Sequence, residues 1–398
     1  MRRRLIALAA AGAFLLAALH CYSAAHKLQA DGWAAPIALS SESEWIGGVS
    51  VAVSADGTVH VVWEDGGQIL HACGSPIVNS TPAAVAYGES PSLAGGAGSA
   101  AHLAFIALAG EQYDVYVSHW NGIGWSLPSS IMPTGGDSFA PSVDWNGTAG
   151  AVAWTEQVAE GSTEIYLARS EDGGPWLGGA VPNAGGDAPH VCLDAGGVHL
   201  SFQARDLLTD KLDIWYAYHD GTGWSVPTAV SGTPDADSSG GTLACWGGQP
   251  HAAWQQEVDG GYSIYFATRN VSGWSVPEPV SSGGDGFSPD LAADASGGMH
   301  LAWAESNAVG YRPWAGDAWG AEAPIGPRAG EILDVALGAA PDGTVHLAWV
   351  EMQGDGTTQV FYSWRAAPVG PSPTPSPTPT SQPAHRRFLP VIFRQSGF

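Results

Sequence analysis

Positive charge is scarce in this sequence. Its 398 residues hold 14 Lys and Arg against 38 Asp and Glu, a formal net charge of −24. The acids all fall between Asp31 and Asp355, and the eight Lys and Arg from Lys27 to Arg365 leave the body at −30. Nucleic acid and anionic membrane both need clustered cations, so neither is expected as a partner. Acidity also keeps an exported chain soluble. Cysteine is scarcer still: beyond Cys21 only Cys73, Cys192 and Cys245 remain, which excludes a disulfide-dense scaffold. Cys192 and Cys245 fall at matching places in neighbouring repeats and could pair, but two buried free thiols are the expectation. No convincing helix can be read in the body, and no apolar run beyond the N-terminal segment is long enough to cross a bilayer. His-Glu-x-x-His, Gly-x-Ser-x-Gly and a Gly-rich phosphate loop are all missing, so the commonest hydrolase and nucleotide signatures are excluded.

The ends differ from the body. Arg2–Arg4, an apolar run from Leu5 to Leu19 and the small residues Ser23, Ala24 and Ala25 describe a secretory signal peptide over residues 1–25. A lipoprotein signal through Cys21 and an uncleaved anchor are the alternatives. Residues 367–384 form a Pro/Ser/Thr-rich linker, too polar and too proline-rich to bury a core. Residues 385–398 form a short basic-apolar tail, which resembles the sorting or attachment tails of some bacterial surface proteins. The protein is therefore expected to be secreted and held at the cell surface through this tail.

What fills residues 30–366 is repetition. Val59-His60-Val61-Val62-Trp63 returns as His102-Leu103-Ala104-Phe105, Ala151-Val152-Ala153-Trp154, His199-Leu200-Ser201-Phe202, His251-Ala252-Ala253-Trp254, His300-Leu301-Ala302-Trp303 and His346-Leu347-Ala348-Trp349. The aromatic positions lie 42, 49, 48, 52, 49 and 46 residues apart, a period that marks a propeller or solenoid. Each copy parses into four short strands. An Asx-Gly turn such as Asp56-Gly57, Asn146-Gly147 or Asp342-Gly343 joins the first two, as hairpins prefer. The third is β-branched and aromatic, as in Glu164-Ile165-Tyr166 and Ser263-Ile264-Tyr265. The fourth opens with Gly-Trp and closes with Pro, as in Gly223-Trp224 to Pro227, which suits an edge strand that can forgo a ladder donor. The expected fold is an all-β, seven-bladed propeller. The first copy is preceded by an extra outer-strand phrase, Gly32-Trp33-Ala34-Ala35-Pro36, and the last copy lacks one. That N-terminal strand should pair beside residues 358–365 and close the ring.

The repeated aromatic is expected to fill the wedge between blades, and the His three residues earlier to lie on the opposite strand face as a hydrogen-bonded structural group. One His per blade cannot converge on a single metal ion. Function is sought instead in two acidic series on the face carrying the strand 2–3 and strand 4–1 connections. Glu64, Glu156, Glu257, Glu305 and Glu351 follow the second strand, while Glu89, Asp137, Asp187, Asp237, Asp285 and Glu331 precede the first. Such carboxylates can accept sugar hydroxyls, hold Ca²⁺ or attract a cationic partner. The competing reading makes them turn residues that satisfy backbone donors.

The Asp-Gly turn, Val-His-x-x-Trp strand, Ile-Tyr strand and Gly-Trp-Ser-x-Pro strand together resemble the bacterial neuraminidase (BNR)-repeat, sialidase-like propellers over about residues 30–366. Ser170-Glu171-Asp172-Gly173-Gly174-Pro175-Trp176 is similar to that family's Asp-box, Ser-x-Asp-x-Gly-x-Thr-Trp, one residue short. The resemblance implies the fold. Sialidases also use three arginines, a Tyr–Glu nucleophile pair and an Asp acid/base, and here the pattern breaks. No Arg stands between Arg4 and Arg169 to supply the N-terminal arginine, and Tyr311-Arg312-Pro313 echoes it in the wrong blade. Arg169, Arg269 and Arg365 read as repeat decoration at the ends of third strands. The sequence thus points to a monomeric, non-catalytic binding module for a glycan or an extracellular protein, with no cofactor assigned beyond the Ca²⁺ such oxygens could take. A glycoside hydrolase using a carboxylate pair and a structural or adhesive repeat protein are the alternatives.

Overall fold

Period-2 alternation with a turn every few residues gives strands throughout. The computed structural model describes residues 32–367, apart from 233, 234 and 317. The expected signal peptide, the tail and all but the first residue of the linker lie outside the described residues. Within them every regular element is a β-strand. Seven antiparallel sheets follow one another along the chain, with first strands opening at Ile46, Glu89, Ser138, Asp187, Ser238, Phe287 and Glu331. Blade 1 runs Ile46–Val53, Val59–Asp65, Gln68–Gly74 and Ala83–Tyr87 from channel to rim.

Outer strands are short where proline precedes them. Pro128, Pro227 and Pro277 stand directly before the two-residue strands Ser129–Ser130, Thr228–Ala229 and Glu278–Pro279, since a ring nitrogen has no N–H for the ladder. In blade 6 the fourth strand is reduced to the bridges Val309–Ile325 and Trp314–Trp319. Blade 7 is completed from the other end of the body. Ile37–Ala38 pairs with Thr358–Arg365 in the register Ile37–Tyr362 and Ala38–Phe361, and Trp33 bridges Arg365, so the ring closes as the sequence predicts.

Seven apolar clusters fill the seven seams, one per pair of neighbouring blades. Each repeated aromatic packs into the seam with the preceding blade: Trp63 against Val360 and Tyr362, Trp154 against Val115 and Val117, Trp303 against Ile264 and Phe266. All seven aromatics are buried. Gly310 is obligatory in this packing, because a Cβ there would collide with the Trp303 ring. The histidines face the other way: His60 packs on Trp120 of blade 2, His102 on Trp145 of blade 3, and His251 on Trp314 of blade 6.

First strands line a central channel of about 620 Å³. There the structure corrects one expectation: Cys192 and Cys245 form a disulfide rather than two free thiols. Adjacent first strands bring their Cα atoms to 5.7 Å, within the span of a bridge. A smaller correction concerns the arginines. Arg269 and Arg365 sit four residues out of register with the wedge Trp of their blades, while Arg169 sits three out and pairs with Glu171 at 2.8 Å.

Candidate functional site

Most of the acidic residues on the connection face are held by the fold. A residue two places after the wedge Trp shares its strand face, so its side chain can reach the buried indole N–H. Trp154, Trp303 and Trp349 donate through Nε1 to Glu156, Glu305 and Glu351 at 3.1, 2.8 and 3.2 Å. Gln256 serves Trp254 in the same way at 3.4 Å. Glu156 also accepts from Ser138 Oγ and Gly136 N, and Glu351 from Gly330 N and Arg328 Nε, so both are buried and fully engaged. Burial pushes the Glu305 carboxyl upward, with the nearby charges of Asp285 and Glu322 adding to it. Asp137 and Asp237 reach across the seam to accept a backbone N–H at the start of the preceding blade's third strand, from Tyr113 and Leu212 at 2.8 Å each. Asp285 accepts from Ser306 Oγ at 2.8 Å. Glu257, Asp187 and Glu331 are exposed.

Glu64 stands apart for a reason the repeat supplies. Every first strand carries a bulge near the channel mouth. In blades 2, 3, 4 and 6 the bulged residue is Ser90, Ala140, Ala188 or Ser288, left-handed at φ 44 to 52° and followed by proline. In blades 2, 4, 5 and 6 the freed N–H is capped by the residue after the wedge aromatic of the preceding blade. Thr155 caps Ala188, Gln203 caps Gly240 and Gln255 caps Ser288, at 3.1 to 3.2 Å. Ser90 is capped by Glu64, at a longer 3.4 Å. A neutral acceptor suffices in blades 4, 5 and 6, yet in blade 2 the chain places a carboxylate. Burial raises the Glu64 carboxyl above its usual range, and the neighbouring charge of Glu89 adds to the effect.

Around Glu64 the structure gathers what the sequence listing could not. Tyr113 donates through its hydroxyl to Glu89 Oε1 at 3.2 Å, and that bond is the main reason its own hydroxyl is held above the usual tyrosine range. Glu64, Glu89, Tyr113 and Asp137 thus form one group across the connections of blades 1 to 3. Three exposed rings stand at the ends of these blades' strands: Trp45 directly before the first strand of blade 1 at 62 %, Tyr87 at the end of its outer strand at 76 %, and Phe139 at the start of blade 3 at 39 %. Tyr113 and these rings were missed because each lies one or two residues from an acid in sequence and outside the repeating phrase. A second group, Asp285, Glu305 and Glu322 with Tyr262, lies on blades 5 and 6, but its carboxylates are tied to Ser306, Trp303 and Ser282. Among the described residues no group of three or more His, Cys, Asp or Glu could hold a metal ion. No helix among them is long and apolar enough to cross a membrane.

The channel carboxylates were also missed. Asp290 accepts from Leu337 N at 2.7 Å and Leu291 N at 2.9 Å, and burial pushes its carboxyl up to about 6. Asp334 accepts from Val49 N at 3.1 Å and is likewise pushed to about 6 by burial. Both are bound to backbone and read as architecture.

No family model matches the chain, and no curated protein matches it. Solved structures do. A protein of unknown function from Dyadobacter fermentans is 12% identical with a TM-score of 0.55, over 84% of this chain and 100% of that one. An α-L-arabinofuranosidase from Fusarium graminearum is 12% identical at 0.52, over 81% and 93%. An α-L-arabinanase from Penicillium chrysogenum is 14% identical at 0.51, over 83% and 97%. At such identities the likeness speaks for the fold alone: this chain is a seven-bladed β-propeller, similar in fold to these three structures.

Proposed function

We propose that the connection face of blades 1 to 3 binds a glycan that is uncharged or carries an amine. The observation that carries this reading is that exposed rings flank the carboxylates of this face along the chain: Tyr87 stands two residues before Glu89, Phe139 two after Asp137, and Trp45 two before Gly47, which lies against the Glu64 carboxylate. Flat aromatic surfaces pack on the apolar faces of sugar rings, and carboxylates accept hydroxyl protons. The absence of Lys and Arg from residue 28 to 168 removes the cations that a uronate, sulfate or sialate would need. The carbohydrate-active propellers of similar fold support a glycan as the ligand class. Export of the chain, its surface attachment and its monomeric state belong to the same proposal.

A glycan array spanning neutral, amine-bearing and acidic oligosaccharides tests this, read beside thermal melts. Trp45→Ala and Tyr87→Ala should each weaken binding by about tenfold or more without moving the melting temperature. Glu64→Gln should keep the bulge capped, as Gln203 and Gln255 do, and leave the fold intact while weakening an amine-bearing ligand most. Binding only to acidic glycans, or to none, would overturn the proposal. A second reading rests on the raised carboxyl of Glu64 next to Glu89, an arrangement suited to acid and base roles at a glycosidic bond. Turnover of aryl glycosides that Glu64→Gln or Glu89→Gln abolishes would favour that hydrolase.

A further inference from the structure

The first strand of each blade turns a free edge to the channel, and its outward N–H groups need acceptors. The chain supplies them across the seams, each blade holding the next. Ser50 Oγ accepts from Leu93 N at 3.0 Å, Ser92 Oγ from Val143 N at 3.1 Å and Ser142 Oγ from Val191 N at 3.1 Å. Further round, Thr242 Oγ1 donates to Asp290 Oδ1 at 3.4 Å, Asp290 Oδ2 accepts from Leu337 N at 2.7 Å, and Asp334 Oδ2 accepts from Val49 N at 3.1 Å. These bonds join blades 1–2, 2–3, 3–4, 5–6, 6–7 and 7–1. In the seam between blades 4 and 5 the disulfide takes this place, beside the Leu212–Asp237 and Gly240–Gln203 bonds nearer the connection face.

The disulfide occupies a rung that is hydrogen-bonded one seam earlier. Asp144 of blade 3 accepts from Leu193 N of blade 4 at 2.7 Å. Asp144 pairs with Ala151, three residues before the wedge Trp154, and Leu193 with Val198, four before Phe202. Cys192 pairs with His199, three before Phe202, and Cys245 with Pro250, four before Trp254. The two cysteines therefore stand where Asp144 and Leu193 stand, advanced by one blade. The Ser rung of blade 4 is taken by His190, whose imidazole burial holds neutral, down to about 4.

We propose that Cys192–Cys245 is a redox-controlled clasp: its reduction opens the channel wall between blades 4 and 5 while the ring stays closed at blade 7. The reductant is an external dithiol reaching the bridge through the channel, which both cysteines line. Its thiolate attacks Sγ of Cys245, the less buried of the two, and expels Cys192 as a thiolate that takes up a proton. The second thiol of the reagent then attacks its own sulfur in the mixed disulfide and releases Cys245. The protein gains two electrons and two protons, and the dithiol leaves as a cyclic disulfide. Ring closure does not depend on this bond, because Ile37–Ala38 remains paired with Thr358–Arg365.

Hydrogen exchange read by mass spectrometry, on oxidised and dithiothreitol-reduced protein, tests the clasp. Reduction should raise exchange about tenfold or more in peptides covering Asp187–Leu193 and Ser238–Trp246, and leave those covering Ile46–Val53 and Glu331–Ala339 unchanged. Cys192→Ser/Cys245→Ser should show the raised exchange in both conditions. The proposal fails if reduction leaves the blade 4 and 5 peptides as they were, if every blade loosens together, or if alkylation of the oxidised protein finds free thiols at both positions. The wild-type arm decides the matter even if the double variant does not fold.

Discussion

In blades 4, 6 and 7 the histidine that opens the second strand meets a tyrosine hydroxyl. His199 Nδ1 lies 2.7 Å from Tyr216 Oη, His300 Nδ1 lies 2.8 Å from Tyr311 Oη, and His346 Nδ1 lies 2.8 Å from Tyr362 Oη. Blades 1 and 2 use a second imidazole instead, His71 for His60 at 3.0 Å and His119 for His102 at 2.7 Å. In blade 1 the proton positions follow from Trp125, which donates to His71 Nδ1, so neutral His71 must donate from Nε2 to His60. Blade 5 has neither device. Phe266 stacks on His251 at 5.9 Å, close to the 6.0 and 6.1 Å of the tyrosine blades, but it offers no hydroxyl, and both His251 nitrogens are buried with no partner among the described residues. The fold thus demands a flat buried ring at this place and leaves its hydrogen bond to whatever the blade supplies. Blade 5 shows the demand unmet, at a cost of about 1–3 kcal/mol.

Acid breaks the comparison most severely, because it strikes every blade that keeps this ring buried. Burial holds His60, His251 and His346 near 4, well below the 6.5 of an unfolded chain. Between those values the unfolded state binds more protons, so stability is complete above pH 6.5 and falls as pH drops towards 4. Each imidazole accounts for about 3 kcal/mol at the low end. Asp290 and Asp334 act oppositely: raised to about 6, they add stability that is present below 3.8 and lost as pH climbs through 6, which offsets part of the loss. Denaturant melts from pH 7 to 4 should show a net loss, and a flat profile would mean the imidazoles are not buried neutral. The other face of the same strand gives the next effect: Trp303→Ala should cost about 3–5 kcal/mol, through the cavity left in the seam and the stranded Glu305. An unchanged melting temperature would count against the wedge.

Two exchanges convert one kind of blade into another. Tyr311→Phe makes blade 6 resemble blade 5 and should cost about 1–2 kcal/mol in chemical denaturation, with His300 keeping its contact to Asp294 at 3.2 Å. Phe266→Tyr makes blade 5 resemble blade 6 and should gain about 0.5–1.5 kcal/mol. If the new hydroxyl destabilises instead, the ring stacking of blade 5 differs from that of its neighbours in a way the centroid distances do not capture.

Blade number, strand order and ring closure were legible because they depend on period-2 alternation and on one phrase repeated seven times. The wedge role of Trp and the opposite face of His followed from counting three residues between them. The acids were harder because a single series hid two geometries. Glu156, Glu305 and Glu351 stand two places after their Trp and bond to it, whereas Glu64 stands one place after and Glu257 three, on the other face. Parity of spacing could have separated them. The partners Tyr113, Tyr87 and Phe139 could not be read, because which side chains meet across a seam depends on blade packing rather than on local pattern. The disulfide was misjudged for the same reason: the rung shared by Cys192 and Cys245 is set by register between blades.

Closure by the first strand carries a cost in time. Ile37–Ala38 leaves the ribosome before any blade, yet its partner Thr358–Arg365 is the last strand of the body to be made. At about 5–20 residues per second, the intervening chain takes roughly 15–65 s to synthesise. Throughout that interval a growing arc of blades carries an unmatched edge at its trailing end and a waiting strand at its head. A propeller built this way must keep its open edges shielded until its last strand has been made.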